Sequence, residues 1–214
     1  MLSAELNEKL AKEAKRLGLD FNDNVAQKLD LYTTTLLDWN KKINLTALRD
    51  KERIVSHHFI DCFELVAKLP TLPEGTTCVD VGSGAGFPGM ICAIFHPTWR
   101  FTLVERIQKK AAFLSHLSYL LKIPVTVIAQ DIDKHFSLKF DVVLSRATFL
   151  PQEWLLVGEK LANIHGTIFA MVGQEKSDLH SPPNLQQTLE YSYEVGSGIH
   201  KSKHWLLGWK KLEF

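Results

Sequence analysis

Apolar runs alternate with helical patterns over the second two-thirds of the chain, and this alternation restricts the fold more than any other feature. Five short runs rich in β-branched and other apolar residues are separated by helix-like stretches, at 77–81, 101–104, 125–129, 140–144 and 167–172. Strands that alternate with helices build βαβ units and a mostly parallel sheet. Two more strand-like segments, 191–195 and 204–212, come after the sequence SPPN and predict an antiparallel edge hairpin. The pattern therefore predicts a Rossmann-like α/β fold.

The first 70 residues have a different periodicity. Leucine and isoleucine recur every three or four residues there, which predicts three helices. The segment LPTLPEG at 69–75 ends this pattern with two prolines and a glycine. We therefore expect an N-terminal helical extension at 1–70, followed by the α/β domain at 71–214.

Composition excludes several classes of protein. Of the 214 residues, 45% are hydrophobic and 23% are charged, which is typical of a globular chain. The longest apolar stretch, 90–95, is far too short to span a bilayer, and the N-terminus lacks the basic and then apolar layout of a signal peptide. Three cysteines without a CxxC spacing predict reduced thiols. We expect a monomeric cytoplasmic protein that binds neither a membrane nor a metal ion.

The net charge of +1 gives no field over the whole surface that would attract nucleic acid, so contact with RNA has to come from local basic patches. Lys109 and Lys110 form one candidate patch, at the start of the helix predicted for 108–122. A second lies in the N-terminal part and comprises Lys41, Lys42, Arg49, Lys51 and Arg53. Each patch is compatible either with RNA contact or with an ordinary solvated surface.

A glycine-rich loop comes directly after the first predicted strand. Its three glycines are Gly82, Gly84 and Gly86, and the next helix is expected to begin at Pro88 or Gly89. Residues without a Cβ allow a tight turn and a close approach of a ligand to the backbone. In open parallel sheets, ligands bind beyond the carboxyl ends of the strands, where this loop lies. The loop is therefore the predicted ligand site.

Two cofactors compete for this loop. Residues 84–89 match GxGxxG, and Glu105 comes about 20 residues later, as in NAD-binding proteins. However, Asp80 adds a negative charge where a pyrophosphate would bind, and Pro88 lacks an N–H donor. S-adenosylmethionine (SAM) carries an ammonium and a sulfonium, whose positive charges suit Asp80. It also carries two ribose hydroxyls, which can donate hydrogen bonds to Glu105. The residues favour SAM, while an NAD-linked oxidoreductase and a purely structural glycine turn stay open.

The residues after the fourth strand indicate the methyl acceptor. The sequence there is LSRA, without the paired prolines of amino-directed methyltransferases. Cysteine, the nucleophile of cytosine C5 methylation, is also absent after strands four and five. Acceptors that are nucleophilic by themselves, such as guanine N7, remain. Arg146 at the strand end could donate hydrogen bonds to guanine O6 and N7, or form a salt bridge with a carboxylate at the sheet edge.

Several motifs in order along the chain resemble one known family. They are LLDWNKKINLTALRD at 36–50, the His58 and Asp61 pair, DVGSGAGFPG, LVERIQKKAAFL and SRA. Together they are similar to the ribosomal RNA small subunit methyltransferase G family (RsmG), also called glucose-inhibited division protein B (GidB), over nearly the whole chain. The set of motifs is highly specific, whereas any single one of them is not.

The resemblance implies SAM-dependent N7-methylation of one guanosine, nucleotide 527, in the 530 loop of 16S rRNA. The partner would be 16S rRNA in the small ribosomal subunit or in an assembly intermediate. Arg146 would act in catalysis and lie beside the cofactor. The family's cofactor loop matches Gly82 and Phe87, and its adenine-side pair matches Ile132 and Asp133. Its SRA arginine matches Arg146.

Some positions depart from the family pattern. Asp131 stands where some relatives have arginine, Ala112 replaces a basic residue, and Cys62 replaces a serine. Lys203 and His204 stand where an Arg-His pair is expected, so Lys203 is a hypothetical RNA contact beside Lys109 and Lys110. Alternatives are a methyltransferase acting on another RNA or on a small molecule, and an RNA-binding protein without activity.

Overall fold

The structure is a computed structural model that describes residues 1–133, 136–146, 150–173, 179–196 and 201–213. Side chains of Ser3, Asn22 and Asp50 cap the first three helices by accepting a backbone N–H of the first turn. The helices are α1 (Ala4–Arg16), α2 (Asp23–Asn40), α3 (Lys51–Ile54), α4 (Ile60–Val66), α5 (Gly89–Phe95), α6 (Gln108–Leu121) and α7 (Pro151–Leu161). A π-helical turn, Val55–Phe59, joins α3 to α4.

Seven strands form one sheet in the order β3-β2-β1-β4-β5-β7-β6. The first five pair in parallel, and β7 pairs antiparallel with both β5 and β6. Their bounds are β1 (Thr77–Val81), β2 (Arg100–Val104), β3 (Val125–Ile128), β4 (Phe140–Arg146), β5 (Ala162–Val172), β6 (Leu185–Val195) and β7 (Ser202–Lys211). The predicted mostly parallel sheet with an antiparallel edge hairpin is confirmed.

The strand order reverses between β1 and β4. Strands β2 and β3 extend the sheet on one side of β1, whereas β4 and β5 extend it on the other. Connections after β1 and β4 therefore diverge to opposite sides and leave a crevice at their carboxyl ends. The glycine loop after Val81 and the end of β4 at Arg146 both border this crevice, which places the candidate site.

The N-terminal extension forms a helical layer that shares its core with the sheet. Leu29, Leu36 and Phe63 are fully buried in one continuous cluster with Met90 of α5 and Phe113 of α6. A second cluster on the opposite face of the sheet includes buried Trp154, Ile168 and Trp209. The extension thus packs directly on the α/β domain, and the boundary at residue 70 separates two sequence patterns within one core.

Three elements differ most from the sequence prediction. β5 begins five residues earlier than expected, since Ala162 already pairs with Phe140 before an irregularity in the ladder. β6 begins at Leu185 instead of residue 191, because the edge strand continues through polar residues that carry no apolar pattern. The third predicted helix is interrupted by the π-helical turn. All three cysteines are buried free thiols.

In the part of the chain that the structure describes, no helix combines the length and apolar character needed to cross a membrane.

Candidate active site

The glycine loop separates into two functional parts. Gly82 (φ +72°) and Gly84 (φ +56°) adopt left-handed conformations that favour glycine, and both line the crevice. Gly86 does not line it. A Cβ added to Gly86 would lie 2.6 Å from the Tyr32 hydroxyl oxygen. This glycine therefore provides space for α2, and the expectation that it also approaches the ligand stays a prediction.

Glu105 supports the loop from the end of β2. Its Oε2 accepts a hydrogen bond of 2.9 Å from the Gly84 N–H, and its Oε1 accepts one of 2.8 Å from the Ile107 N–H. The residue is 5% exposed and faces a cavity of about 480 Å³, which we call the Glu105 cavity. Each carboxylate oxygen accepts more than one hydrogen bond, so Glu105 can also bind hydroxyl groups in this cavity.

Asp80 lies beneath the loop. Side chains alternate along β1, so Asp80 lies on the same face as Cys78, under α5, and its Oδ2 accepts a 3.0 Å hydrogen bond from the Gly89 N–H. Its side chain is fully buried and lines neither part of the crevice. Burial raises the pKa of Asp80 to about 6. This contact gives Asp80 a role in holding α5, and the direct contact with a cationic ligand expected from the sequence stays a prediction.

Arg146 separates two adjoining cavities. Together with Gly82 and Gly84 it borders the Glu105 cavity and also a second one of about 360 Å³, which we call the Arg146 cavity. Its guanidinium carbon lies 5.1 Å from the centroid of the Phe87 ring, and Phe87 also lines the Arg146 cavity. The arginine and the phenylalanine singled out in the sequence are therefore brought together.

The carboxylate that pairs with Arg146 comes from the N-terminal extension. Arg146 Nη1 donates to Asp61 Oδ2 at 3.1 Å, and Asp61 belongs to α4. The salt bridge considered from the sequence exists, but its carboxylate does not lie at the sheet edge. Asp61 Oδ1 accepts a 2.8 Å hydrogen bond from Tyr193 and lies 3.1 Å from His204 Nδ1. Arg146, Asp61, His58, Tyr193 and His204 make up what we call the Asp61 cluster.

The charges of this cluster are balanced internally. Burial raises the pKa of Asp61, but His204, Arg146 and Tyr193 outweigh it, so the pKa of this carboxyl lies below its usual value. Burial and the positive charge of Arg146 lower the pKa of His58 to about 3. At neutral pH the cluster therefore contains an ionised Asp61 and an uncharged His58.

Sequence reasoning named His204 only as the neighbour of Lys203 and placed neither His204 nor Tyr193 in the site. Tyr193 lies opposite His204 across the β6–β7 ladder, and Asp61 is more than 130 residues earlier in the chain than Tyr193. The available signals were the spacing of three between His58 and Asp61 and the register of the predicted hairpin. Within the described residues, no group of three His, Cys, Asp or Glu side chains has a metal-binding arrangement.

The remaining predicted residues divide between the cavity and the surface. Ile132 and Lys110 line the Glu105 cavity. Asp133 and Lys109 are exposed and do not line it. Lys203 is exposed on β7, with its Nζ 4.5 Å from the centroid of the Trp205 ring. Residue 147 of the SRA motif lies outside the described residues.

Comparison with known families gives a match over most of the chain. Residues 25–199 match the GidB model, described as rRNA small subunit methyltransferase G. The chain is 34% identical over 178 residues to the Ribosomal RNA small subunit methyltransferase G of Anaeromyxobacter dehalogenans, with 81% of each protein covered. It is 36% identical over 171 residues to the protein of the same name from Methylobacillus flagellatus, with 79% of this chain and 82% of the relative covered.

Two solved structures share the fold. Coclaurine N-methyltransferase bound to N-methylheliamine and SAH aligns with a TM-score of 0.56 at 12% identity, covering 88% of this chain and 73% of that one. TrmN from Thermus thermophilus aligns with a TM-score of 0.50 at 14% identity, covering 74% and 53%. At these identities the likeness is one of fold alone.

Proposed function

Because the chain belongs to the GidB family of rRNA small subunit methyltransferase G enzymes, we propose that it transfers a methyl group from SAM to N7 of guanosine 527 in 16S rRNA. It would act as a monomer in the cytoplasm, on the small ribosomal subunit or on an assembly intermediate. The observation that carries the proposal is the meeting of two cavities at Gly82, Gly84 and Arg146.

The residues of the Glu105 cavity fit the adenosine part of SAM. Glu105 keeps acceptor capacity on both carboxylate oxygens, which suits the two ribose hydroxyls. Ile132 provides apolar surface for the adenine ring, and Gly82 and Gly84 leave room at the loop. When bound, SAM supplies an electrophilic methyl group on a sulfonium.

The loop fits a dinucleotide poorly, since most of its N–H groups already have acceptors within the protein. The Gly84 N–H donates to Glu105, and the Gly89 N–H donates to Asp80. The Gly86 and Phe87 N–H groups both donate to the Ser83 carbonyl oxygen, and Pro88 has no N–H. A pyrophosphate needs such donors at a helix start. The contacts therefore favour SAM over NAD for this loop.

The Arg146 cavity suits an acceptor that needs no general base. The N7 atom of guanine carries a lone pair, so the enzyme has to position the ring without removing a proton. A hydrogen bond donated to N7 would occupy that lone pair, and we therefore assign Arg146 to guanine O6. The positive charge passes from the sulfonium to the purine during transfer, and Asp61 beside Arg146 keeps the site from accumulating excess positive charge.

Contacts with the rest of the RNA are assigned to exposed lysines. Lys110 lies at the border of the Glu105 cavity and Lys109 beside it on α6, whereas Lys203 lies on β7. Phosphates bound by such residues would give a salt-dependent affinity.

The test is methylation of 30S subunits prepared from a strain that lacks the modification. The enzyme is incubated with methyl-labelled SAM, and the label is mapped along the 16S rRNA. We expect label at one guanosine of the 530 loop, as an N7-methylated base. Label elsewhere would reject the assigned nucleotide, and thermal stabilisation by NAD without stabilisation by S-adenosylhomocysteine would reject the cofactor.

A further inference from the structure

The Arg146 guanidinium determines which nitrogen of the His58 ring carries the proton. Arg146 Nη2 lies 3.2 Å from His58 Nδ1, and a guanidinium can donate hydrogen bonds but cannot accept them. Nδ1 of the uncharged ring therefore accepts, and the single ring proton resides on Nε2. The opposite tautomer would let Nδ1 donate to the His57 carbonyl oxygen, also at 3.2 Å, but would direct its N–H against an N–H of the guanidinium.

The His58 proton in turn determines what the Thr46 hydroxyl can do. His58 Nε2 lies 2.8 Å from Thr46 Oγ1, so an Nε2–H donates to this oxygen. The Leu48 N–H donates to the same oxygen at 3.2 Å. A hydroxyl oxygen has two lone pairs and one proton, and both lone pairs are then engaged. The remaining O–H has to serve as a donor.

The loop that carries Thr46 is held in place by one buried amide. Asn40 Nδ2 donates to the Thr46 and Leu48 carbonyl oxygens at 2.9 and 3.0 Å. Asn40 Oδ1 accepts from the Leu45 and Thr46 N–H groups at 2.9 and 3.1 Å. Thr46 and Leu45 line the Arg146 cavity, so the N-terminal extension provides a rigid part of its wall.

We propose that the Thr46 hydroxyl binds the acceptor nucleotide by donating a hydrogen bond to one of its oxygen atoms, and that Arg146 and His58 orient this hydroxyl. The inference rests on the proposed function for the identity of the ligand. Arg146 thus contacts the nucleotide directly and also determines, through His58, that the opposite wall presents a donor. His58 is a positioning residue, and Thr46 is a binding residue.

The proton position is measured in the free enzyme by ¹⁵N chemical shifts of the imidazole nitrogens. His58→Gln identifies the signals of His58 among those of nine histidines. We expect a protonated Nε2 and an unprotonated Nδ1 at neutral pH, and a rise in the Nδ1–H form in Arg146→Met. A protonated Nδ1 in the unmodified enzyme overturns the inference, even if the enzyme methylates rRNA.

The binding role is measured with Thr46→Val, which removes the hydroxyl and keeps the shape, and with Thr46→Ser, which keeps the hydroxyl. For Thr46→Val we expect the KM for 30S subunits to rise about five- to tenfold, as for the loss of one neutral hydrogen bond. We expect near-normal values for Thr46→Ser and for Thr34→Val, whose exposed hydroxyl on α2 lies outside both cavities.

The affinity for S-adenosylhomocysteine, measured by calorimetry, shows that each Thr46 variant is folded. An unchanged KM in folded Thr46→Val overturns the binding role. If the unmodified enzyme transfers no methyl group to any RNA, the proposed function fails together with the identity of the ligand, and the imidazole shifts still decide the hydrogen-bond chain.

Discussion

Tyr32 donates a 2.6 Å hydrogen bond to the carbonyl oxygen of Ala85, which ties the second helix of the N-terminal extension to the glycine loop. Tyr32 is fully buried, and its ring stacks on Phe87 at a centroid distance of 5.2 Å and an interplanar angle of 7°. Burial raises the pKa of Tyr32 well above its usual value, so the hydroxyl stays protonated as a donor. The extension therefore shapes the glycine loop directly.

Tyr32→Phe should destabilise the protein and loosen the loop. Without the hydroxyl, the buried Ala85 carbonyl loses its donor, which costs about 1–3 kcal/mol of unfolding free energy. We expect this loss in urea titrations and a several-fold weaker affinity for S-adenosylhomocysteine. Tyr119→Phe is the matched control, because Tyr119 is 80% exposed. Equal ligand affinity in Tyr32→Phe and the unmodified protein would show that the loop keeps its shape without α2.

Gly82→Asp should abolish SAM binding. Gly82 has a positive φ and lines both cavities, so an aspartate adds strain, volume and charge at the point where they meet. Calorimetry with S-adenosylhomocysteine measures the loss. Gly18→Asp is the control for backbone strain alone, since Gly18 has nearly the same φ (+71°) and open space around it. Near-normal affinity in Gly82→Asp would contradict the assigned cofactor loop.

The parallel part of the sheet was predictable because its strands are short apolar runs between clear helical patterns. The start of β6 was not, because an edge strand with one solvated side keeps its pairing through polar residues such as Gln186 and Gln187. Asp80 was singled out in the sequence, but its packing under α5 was not predicted. Its neighbours along the chain suggested a ligand contact, whereas the alternation of β1 directs it under α5.

The Asp61 cluster shows why a site is harder to predict than a fold. The cluster depends on how the helical extension docks on the sheet, which places Asp61 beside Arg146 and beside Tyr193 of the hairpin. Such contacts join residues that are 85 and 132 positions apart, and no local pattern specifies them. Arg146 could be proposed for the site from the sequence, but its pairing with Asp61 could not.

Asp80→Asn should flatten the pH dependence of stability between about pH 4 and pH 6. The pKa of Asp80 is raised from 3.8 to about 6 in the folded protein, so the folded state binds this proton more tightly than the unfolded chain does. Its contribution is fully present below pH 3.8 and is lost as the pH rises through about 6, an amount of roughly 3 kcal/mol.

Urea titrations of Asp80→Asn and the unmodified protein across this pH range measure the effect as a difference. Asparagine keeps an oxygen that can accept the Gly89 N–H and carries no charge. Carboxyls with lowered pKa values, such as Asp61 and Asp141, act in the opposite direction but are common to both proteins. Parallel stability curves would contradict a raised pKa at Asp80.

Arg146→Ala should reduce methyl transfer far more than it reduces stability. We expect kcat to fall about 100-fold or more, because Arg146 positions the guanine ring and a misplacement of the reacting atoms by about 1 Å can cost this much. The unfolding free energy should fall by about 1.5–3 kcal/mol, because Asp61 loses a charged partner but keeps Tyr193 and His204.

The double variant Arg146→Ala/Asp61→Asn separates the effect on turnover from the effect on stability. Removal of the uncompensated carboxylate should recover part of the stability without restoring turnover. Unchanged turnover in Arg146→Ala would limit this arginine to holding α4 against the end of β4.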